Sequence, residues 1–316
     1  MTIFHIHSDY SLLHSSLKIK DLIPLAKEKG FNTLGISELN NMFSTIEFYE
    51  TCRKNDIKPI IAMDVLIKRD ENYSRVILIA MDKKGYDNLM YLSSISYLYH
   101  MEGATAVIPY EEIVKNQEGV AVVLDMLESE IGKNLNILNE KNAYNTPSIQ
   151  KAENLAKIYK NDIKNLYLEI RKDSFEEEFL SDFFYEFALN NEIKPIASAN
   201  IFYLNKTDFY YKDALECIES NKQYDDVHRQ INLGEFYLKS KNEYLKSFEN
   251  FQEAIQNNIN LFENINLEIP LGNPTPPTFK FTKEYAKKEG LDIESDVEYF
   301  EYKCREGLKK KIKKYT

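Results

Sequence analysis

The sequence predicts an α/β protein, either a closed barrel or an open doubly wound sheet, and two observations carry that expectation. Seven short apolar or β-branched runs alternate with amphipathic stretches through roughly the first two hundred residues. Most of these runs are near-continuously apolar, as strands of a parallel sheet covered on both faces are. No glycine-rich phosphate loop follows any of them, which disfavours a nucleotide-binding version of the doubly wound fold.

The runs are "TIFHIHS" (2–8), "TLGIS" (33–37), "KPIIAMDVLI" (58–67), "RVILIAM" (75–81), "VAVVLD" (120–125), "LYLEIR" around 167–171 and "KPIASANI" (194–201). Between the first two, Leu22, Leu25 and Ala26 share a helical face, Lys27 and Lys29 suit a last turn, and Gly30 suits the C-cap. Pro24 is compatible with that helix if it begins near Lys20, which leaves the proline in the first turn. Stretches 42–54, 84–97, 148–160 and 175–191 read as further helices. Beyond residue 205 the pattern turns helical, most clearly at 206–220 and 241–260. "EIPLGNPTPPTFKF" (268–281), with four prolines, reads as a linker. The last 35 residues read as helix and end in "LKKKIKKYT", a basic run of the kind a helix dipole favours at its C-terminus.

Composition narrows the function classes. Forty Lys+Arg against 50 Asp+Glu give net charge −10 and a pI near 5.2, a poor balance for gripping phosphate backbones. Cys52, Cys217 and Cys304 have no paired spacing, which fits a reducing compartment and offers no zinc knuckle. No leader pattern opens the chain, and no apolar run approaches the ~18–20 residues needed to span a bilayer. A cytoplasmic location without membrane contact is the expectation.

The residues that bear most on chemistry lie in "FHIHSDYSLLHSS" (4–16), where His5, His7 and His14 are three of the chain's five histidines. Strand periodicity would put Ile3, His5 and His7 on one face, with Phe4 and Ile6 on the other. His-x-His at the end of a strand can chelate a cation with carboxylates from later strands, or can be two hydrogen-bonded core imidazoles. His100 and His228 stand outside any motif.

The ordered string from "FHIHSDYSLLHSSLKIKDLIPLAKEKGFNTLGISELNNMFSTIEFYETCRKNDIKPIIAMDV" resembles the start of the PHP (polymerase and histidinol phosphatase) domain of bacterial DNA polymerase III alpha subunits. The resemblance continues through "KKGYDNLMYLSSISYL", "LYLEI", "KPIASANIFYLNKTD" and "GEFYLKSKNEYLKSF" into "FTKEYAKKEG", and so covers essentially the whole chain. It implies a distorted seven-stranded (βα)7 barrel. The implied division is a PHP domain over 1–267 (barrel core 1–205, helical extension 206–267), the linker, and the start of a palm domain over 282–316.

Metal-binding members of that family hold a trinuclear cluster, and the resemblance implies that little of the cluster's ligand set survives here. His5 and His7 are retained, His14 stands at a position usually aspartate, and Asp64 shortens a glutamate. The remaining positions fall on Leu39, Arg75, Met126, Asn200 and Phe202. Arg75 would add positive charge and could pair with Asp64. Hydrolysis by two metals needs cations held ~3.5–4 Å apart, which this residue set does not provide for.

The resemblance therefore implies a metal-free scaffold, with at most one weakly held Zn²⁺ or Mn²⁺, attached to a polymerase whose own Mg²⁺-binding palm lies elsewhere. "YDD" (224–226) reads as a solvated turn rather than part of such a palm. The implied partners are the remainder of the polymerase chain, a proofreading exonuclease subunit and, through the full polymerase, primer–template DNA. Leu39, Met126 and Phe202 should then pack the barrel mouth closed. The competing reading is an active metal-dependent phosphoesterase or 3′–5′ exonuclease. A third is an interaction protein with no polymerase attached.

Overall fold

The computed structural model describes residues 1–136, 146–226, 229, 231, 233–272 and 279–315. His228 and the proline-rich core of the expected linker (273–278) lie outside the described residues. Two compact units are present, Met1–Glu268 and Ile269–Thr316.

The first unit begins α1 (Ile19–Glu28), β1 (Thr33–Leu39), α2 (Thr45–Lys54), β2 (Lys58–Arg69), β3 (Asn72–Ala80) and α3 (Lys83–Tyr99). Three two-residue strands follow, β4 (Met101–Glu102), β5 (Thr105–Ala106) and β6 (Ile108–Pro109), then α4 (Tyr110–Lys115) and β7 (Val120–Leu124). It continues with α5 (Glu130–Leu135), α6 (Thr146–Asp162), β8 (Leu166–Ile170), α7 (Phe175–Asn190) and β9 (Lys194–Ala197). It closes with α8 (Phe209–Glu219), α9 (Lys241–Ser247) and α10 (Gln252–Asn264).

The main sheet has the order β1-β2-β3-β7-β8-β9, with β6 pairing β2. Pairs β1/β2, β7/β8 and β8/β9 are parallel, but β3 runs antiparallel to both β2 and β7. The parallel sheet expected from the apolar runs is therefore interrupted by a hairpin. Its two-residue turn between Arg69 and Asn72 uses Asp70 in the left-handed region (φ 55°), which aspartate tolerates. With no Gly or Pro in it, that turn leaves little trace in the sequence.

Two helical expectations change as well. α1 starts at Ile19, close to the expected Lys20, but Pro24 is its sixth residue and so sits in the second turn, not the first. The single helix expected over 241–260 is two, α9 and α10, divided at the buried rings of Phe248 and Phe251.

Residues 3–7 join the two edges of the sheet. Ile3 bridges Leu34 of β1 and Ile6 bridges Ile201 just past β9. Gly35 N donates to Ile3 O at 2.8 Å, Ser37 N to Ile6 O at 2.8 Å, and His7 N to Ile201 O at 2.9 Å. The approach is close enough that a Cβ on Gly35 would lie 2.7 Å from the Phe4 Cα. The bridges are isolated, so strict alternation is not kept. Phe4 joins the interior cluster with Ile60, Ile77, Val123 and Ile196, while His5 and His7 also reach the interior.

Helix α10 fixes this segment from below. Phe262 packs its ring 5.2 Å from Phe4. The fully buried Asn258 accepts from Thr2 N at 2.7 Å and donates to Thr2 O at 2.8 Å and Ala197 O at 2.9 Å. Asn258→Ala strands two buried carbonyls and one N–H and should lower the free energy of unfolding by about 2–3 kcal/mol. Urea denaturation reads this directly, and a loss under about 0.5 kcal/mol would show that the segment is held elsewhere.

The second unit contains α11 (Lys283–Lys288) and α12 (Asp296–Tyr315). The rings of Phe279, Tyr285 and Tyr299 cluster within it. Asp296 and Glu298 open α12 and exposed Lys309–Lys311 lie near its end, the polarity a helix dipole favours.

Candidate functional site

The inner face of the sheet changes character along its strands. On β2, Ile60 and Ala62 face the apolar cluster and Asp64 follows on the same side. On β7, Ala121 and Val123 are followed by Asp125, and on β8 Tyr167 is followed by Glu169 and Arg171. Because β3 is antiparallel to its neighbours, its beginning lies beside the ends of β2 and β7. Arg75 consequently arrives at the same end, with Asp125 N donating to Arg75 O at 3.2 Å. All the charged positions thus gather over one apolar floor.

His5 sits between two carboxylates, Nδ1 2.9 Å from Glu169 Oε1 and Nε2 3.2 Å from Asp64 Oδ2. Burial opposes a charge on His5, but the Glu169 and Asp64 carboxylates override it and raise its pKa to about 10. Burial would raise Asp64 too, yet Arg75, donating to Oδ1 at 3.0 Å, and then His5 hold it well below the usual carboxylate range. His7 stacks on Phe202 with ring centroids 4.6 Å apart, and its Nε2 lies 3.8 Å from Asp64 Oδ2 without a hydrogen-bond partner. Burial, then the charge on His5, drives its pKa well down, so this imidazole is neutral.

Arg171 forms the second half of the network and is buried. Its Nη1 lies 2.6 Å from Asp125 Oδ2, 2.9 Å from Glu169 Oε2 and 3.5 Å from His5 Nδ1. Its Nε donates to Glu177 Oε1 at 2.8 Å. Glu177 is in turn fixed by the start of α7, since its Oε2 accepts from Asp173 N at 2.8 Å and Ser174 N at 3.2 Å. Asp125 is anchored by Leu127 N at 2.9 Å and Glu128 N at 2.7 Å. Burial would raise the Asp125 pKa, but Arg171 and His5 lower it. Among the described residues no such cation is in hydrogen-bond reach of Asp173, and burial followed by the Glu177 charge pushes it up to about 8.

Another buried carboxyl, Glu38 at the end of β1, accepts from the Ser8 hydroxyl, from Ser8 N at 3.0 Å and from Ser11 Oγ at 2.5 Å. Burial raises its pKa, partly offset by the bonds from Ser11 and Ser8.

Of the positions singled out in the sequence, His5, His7, Asp64 and Arg75 come together, with Phe202 against His7. Met126 is buried, and its Sδ accepts from Arg171 N at 3.3 Å. His14 does not join them. The chain turns at Leu13 (φ 66°), and His14 Nε2 pairs with Glu219 Oε1 of α8 at 3.2 Å. Asn200 donates its backbone N–H to Asp173 Oδ2 at 2.7 Å, and its Oδ1 is buried without a partner.

The expectation of a mouth packed closed fails at one of its three residues. Leu39 and Phe202 are half-buried, and Phe202 lines an open cleft of 790 Å³ beside His14, Arg171, Asn200 and Lys212. Polar groups from α7 and α8 reach this rim, which apolar substitution at Phe202 alone cannot seal. Glu38, Asp125, Glu169, Arg171 and Glu177 were missed. For all but Glu177, which sits in the first turn of α7, the signal is a charged residue inside or directly after an apolar strand run, as in "VAVVLD" and "LYLEIR".

Among the described residues, two sets have ligand atoms close enough to share a cation: His5, His7 and Asp64, and His5, Asp125 and Glu169. Both are engaged by protein cations. In the first, Arg75 takes one Asp64 oxygen and His5 the other, and in the second Arg171 Nη1 sits among all three side chains.

A family model described as the PHP domain matches residues 4–173. The chain belongs to the PHP domain family. This PHP chain is 34% identical over 98% of its length to a DNA polymerase III subunit alpha from Helicobacter pylori, covering 27% of that protein. It is 31% identical over 99% of its length to a DNA polymerase III subunit alpha from Campylobacter jejuni, covering 28% of it. It thus spans about a quarter of the length of the curated relatives it matches. Among solved structures, a two-domain protein from Bacteroides vulgatus "containing predicted PHP-like metal-dependent phosphoesterase" is similar at TM-score 0.43 and 12% identity, over 80% of this chain and 69% of that one. No helix among the described residues is long and apolar enough to cross a membrane.

Proposed function

We propose that this chain is the PHP region of a DNA polymerase III alpha subunit, and that its barrel has exchanged metal chemistry for a structural role in chromosome replication. The observation that carries this reading is the engagement of both ligand-competent sets by Arg75, Arg171 and a doubly bonded His5. A polynuclear cation cluster does not fit there. Each carboxylate oxygen facing the centre already accepts from a protein cation, and His14, Leu39 and Phe202 supply no replacement ligand. Among the described ligand positions, His7 Nε2 and Asn200 Oδ1 are left without a partner, enough for one weakly held Zn²⁺ or Mn²⁺ and not for a cluster.

In this reading residues 282–316 begin the polymerase palm, whose Mg²⁺-binding carboxylates and primer–template contacts belong to the rest of the polymerase. The barrel buttresses that palm and docks a proofreading exonuclease subunit. The identity to polymerase alpha subunits along the whole chain supports its place in such a polymerase. Co-elution of the chain with the exonuclease subunit of the same bacterium tests the docking role.

The metal-free reading is tested by elemental analysis after purification without chelator, and again after Mn²⁺ or Zn²⁺ loading and desalting. Less than about a tenth of an equivalent is expected, with no hydrolysis of a chromogenic phosphate ester or of a DNA 3′ end. Two or more equivalents with measurable turnover would establish the active phosphoesterase or exonuclease instead.

A further inference from the structure

Arg171 is placed as a cation would be. Asp125 Oδ2, Glu169 Oε2 and His5 Nδ1 converge on its Nη1 at 2.6, 2.9 and 3.5 Å, and these are the three side chains of one ligand-competent set. The guanidinium is aimed from outside that set, because its Nε is held by Glu177, which the α7 cap holds in turn. We propose that the Arg171 guanidinium is a built-in replacement for a divalent cation, so that removing it opens a one-metal site formed by His5, Asp125 and Glu169.

Several features support the exchange. Arg171 is buried, and so are the three side chains facing it, so their charges are balanced mainly by one another. Asp125 is oriented independently of the arginine by Leu127 N and Glu128 N, so the ligand position survives its removal. The ligands are one imidazole and two carboxylates, a set that suits Mn²⁺ or Zn²⁺. Arg75 plays the lesser part, contacting Asp64 from a side chain that retains 27% of its surface.

This inference rests on the reading of the native barrel as metal-free, and the test separates the two. Arg171→Met keeps the side-chain length and deletes the charge, whereas Arg171→Lys keeps a cation and loses the fork. Each is purified with and without Mn²⁺, with metal per chain and thermal midpoint as readouts. The expected result is about one equivalent of Mn²⁺ in R171M, with a midpoint that rises on Mn²⁺ addition, and none in wild type or R171K. If R171M folds but takes up no metal, the inference is overturned. It is equally overturned if R171M fails to fold even when refolded in Mn²⁺, or if R171K binds metal as R171M does. Two or more equivalents in the wild-type chain would overturn the metal-free reading itself.

Discussion

Arg171→Ala should cost the fold about 3–5 kcal/mol, whereas Arg75→Ala should cost no more than about 1–2 kcal/mol. The two arginines look equivalent in sequence, each at the polar end of an apolar strand, and burial separates them. Removing Arg171 leaves the buried carboxylates of Asp125, Glu169 and Glu177 converging on one space, with His5, among the described residues, the cation still bonded to Glu169. Removing Arg75 leaves Asp64 still bonded to His5, and the vacated position is open to solvent on one side. Urea denaturation of both variants at neutral pH gives the comparison. Equal losses would mean that convergence of carboxylates, the basis of the proposed cation exchange, does not set the energy scale of this site.

The contrast between these arginines also marks where the sequence could be read and where it could not. The six longer strands from 33 onward were legible because each is an apolar run bounded by polar residues, a pattern fixed by burial on both faces, whereas the two-residue strands β4, β5 and β6 carry no such run. The antiparallel turn of β3 was not legible, since "RDEN" carries its left-handed residue as Asp70 and not as glycine. That turn is what brings Arg75 beside Asp64, so an element boundary decided the site chemistry. His5, His7 and Asp64 were found from spacing and family resemblance, both of which report first ligands. Arg171 and Asp125 close apolar runs and Glu169 lies within one, where neither spacing nor resemblance marks a ligand. An ionisable group inside an apolar strand is costly unless paired, and three such groups on neighbouring strands announce one another. His14 shows the converse error, since nearness in sequence to two site histidines says nothing once the chain turns at Leu13.

The stability of the folded chain should fall by several kcal/mol from about pH 6.5 towards pH 10. The signs follow from which state binds more protons. His5 is raised from 6.5 to about 10 in the fold, because its two carboxylate partners outweigh the burial that opposes its charge. Its contribution is complete below pH 6.5 and is lost as pH rises through 10. Asp173, raised to about 8 by burial and by Glu177, acts in the same direction over a lower window. The unfolded chain releases this proton near pH 4 and the folded chain holds it to pH 8, so stability declines across that range. Asp64 and Asp125 oppose both on the acid side. Burial raises them, but Arg75 and His5 for the first, and Arg171 and His5 for the second, hold them low, so their contribution disappears as pH falls below the usual carboxylate range. Two variants divide the alkaline limb. Asp173→Asn keeps an oxygen for Asn200 N–H and should flatten the slope between pH 4 and 8, leaving the variant more stable than wild type at pH 8. His5→Gln should flatten the slope between pH 7 and 10 while lowering stability at pH 6, where the imidazolium is fully formed. Denaturation midpoints across this range check both. A wild-type profile that rises from pH 6 to 9 would show that His5 is neutral in the fold, and a neutral His5 would leave Arg75 on Asp64 and Arg171 on Asp125, Glu169 and Glu177 as the cations bonded to these carboxylates among the described residues.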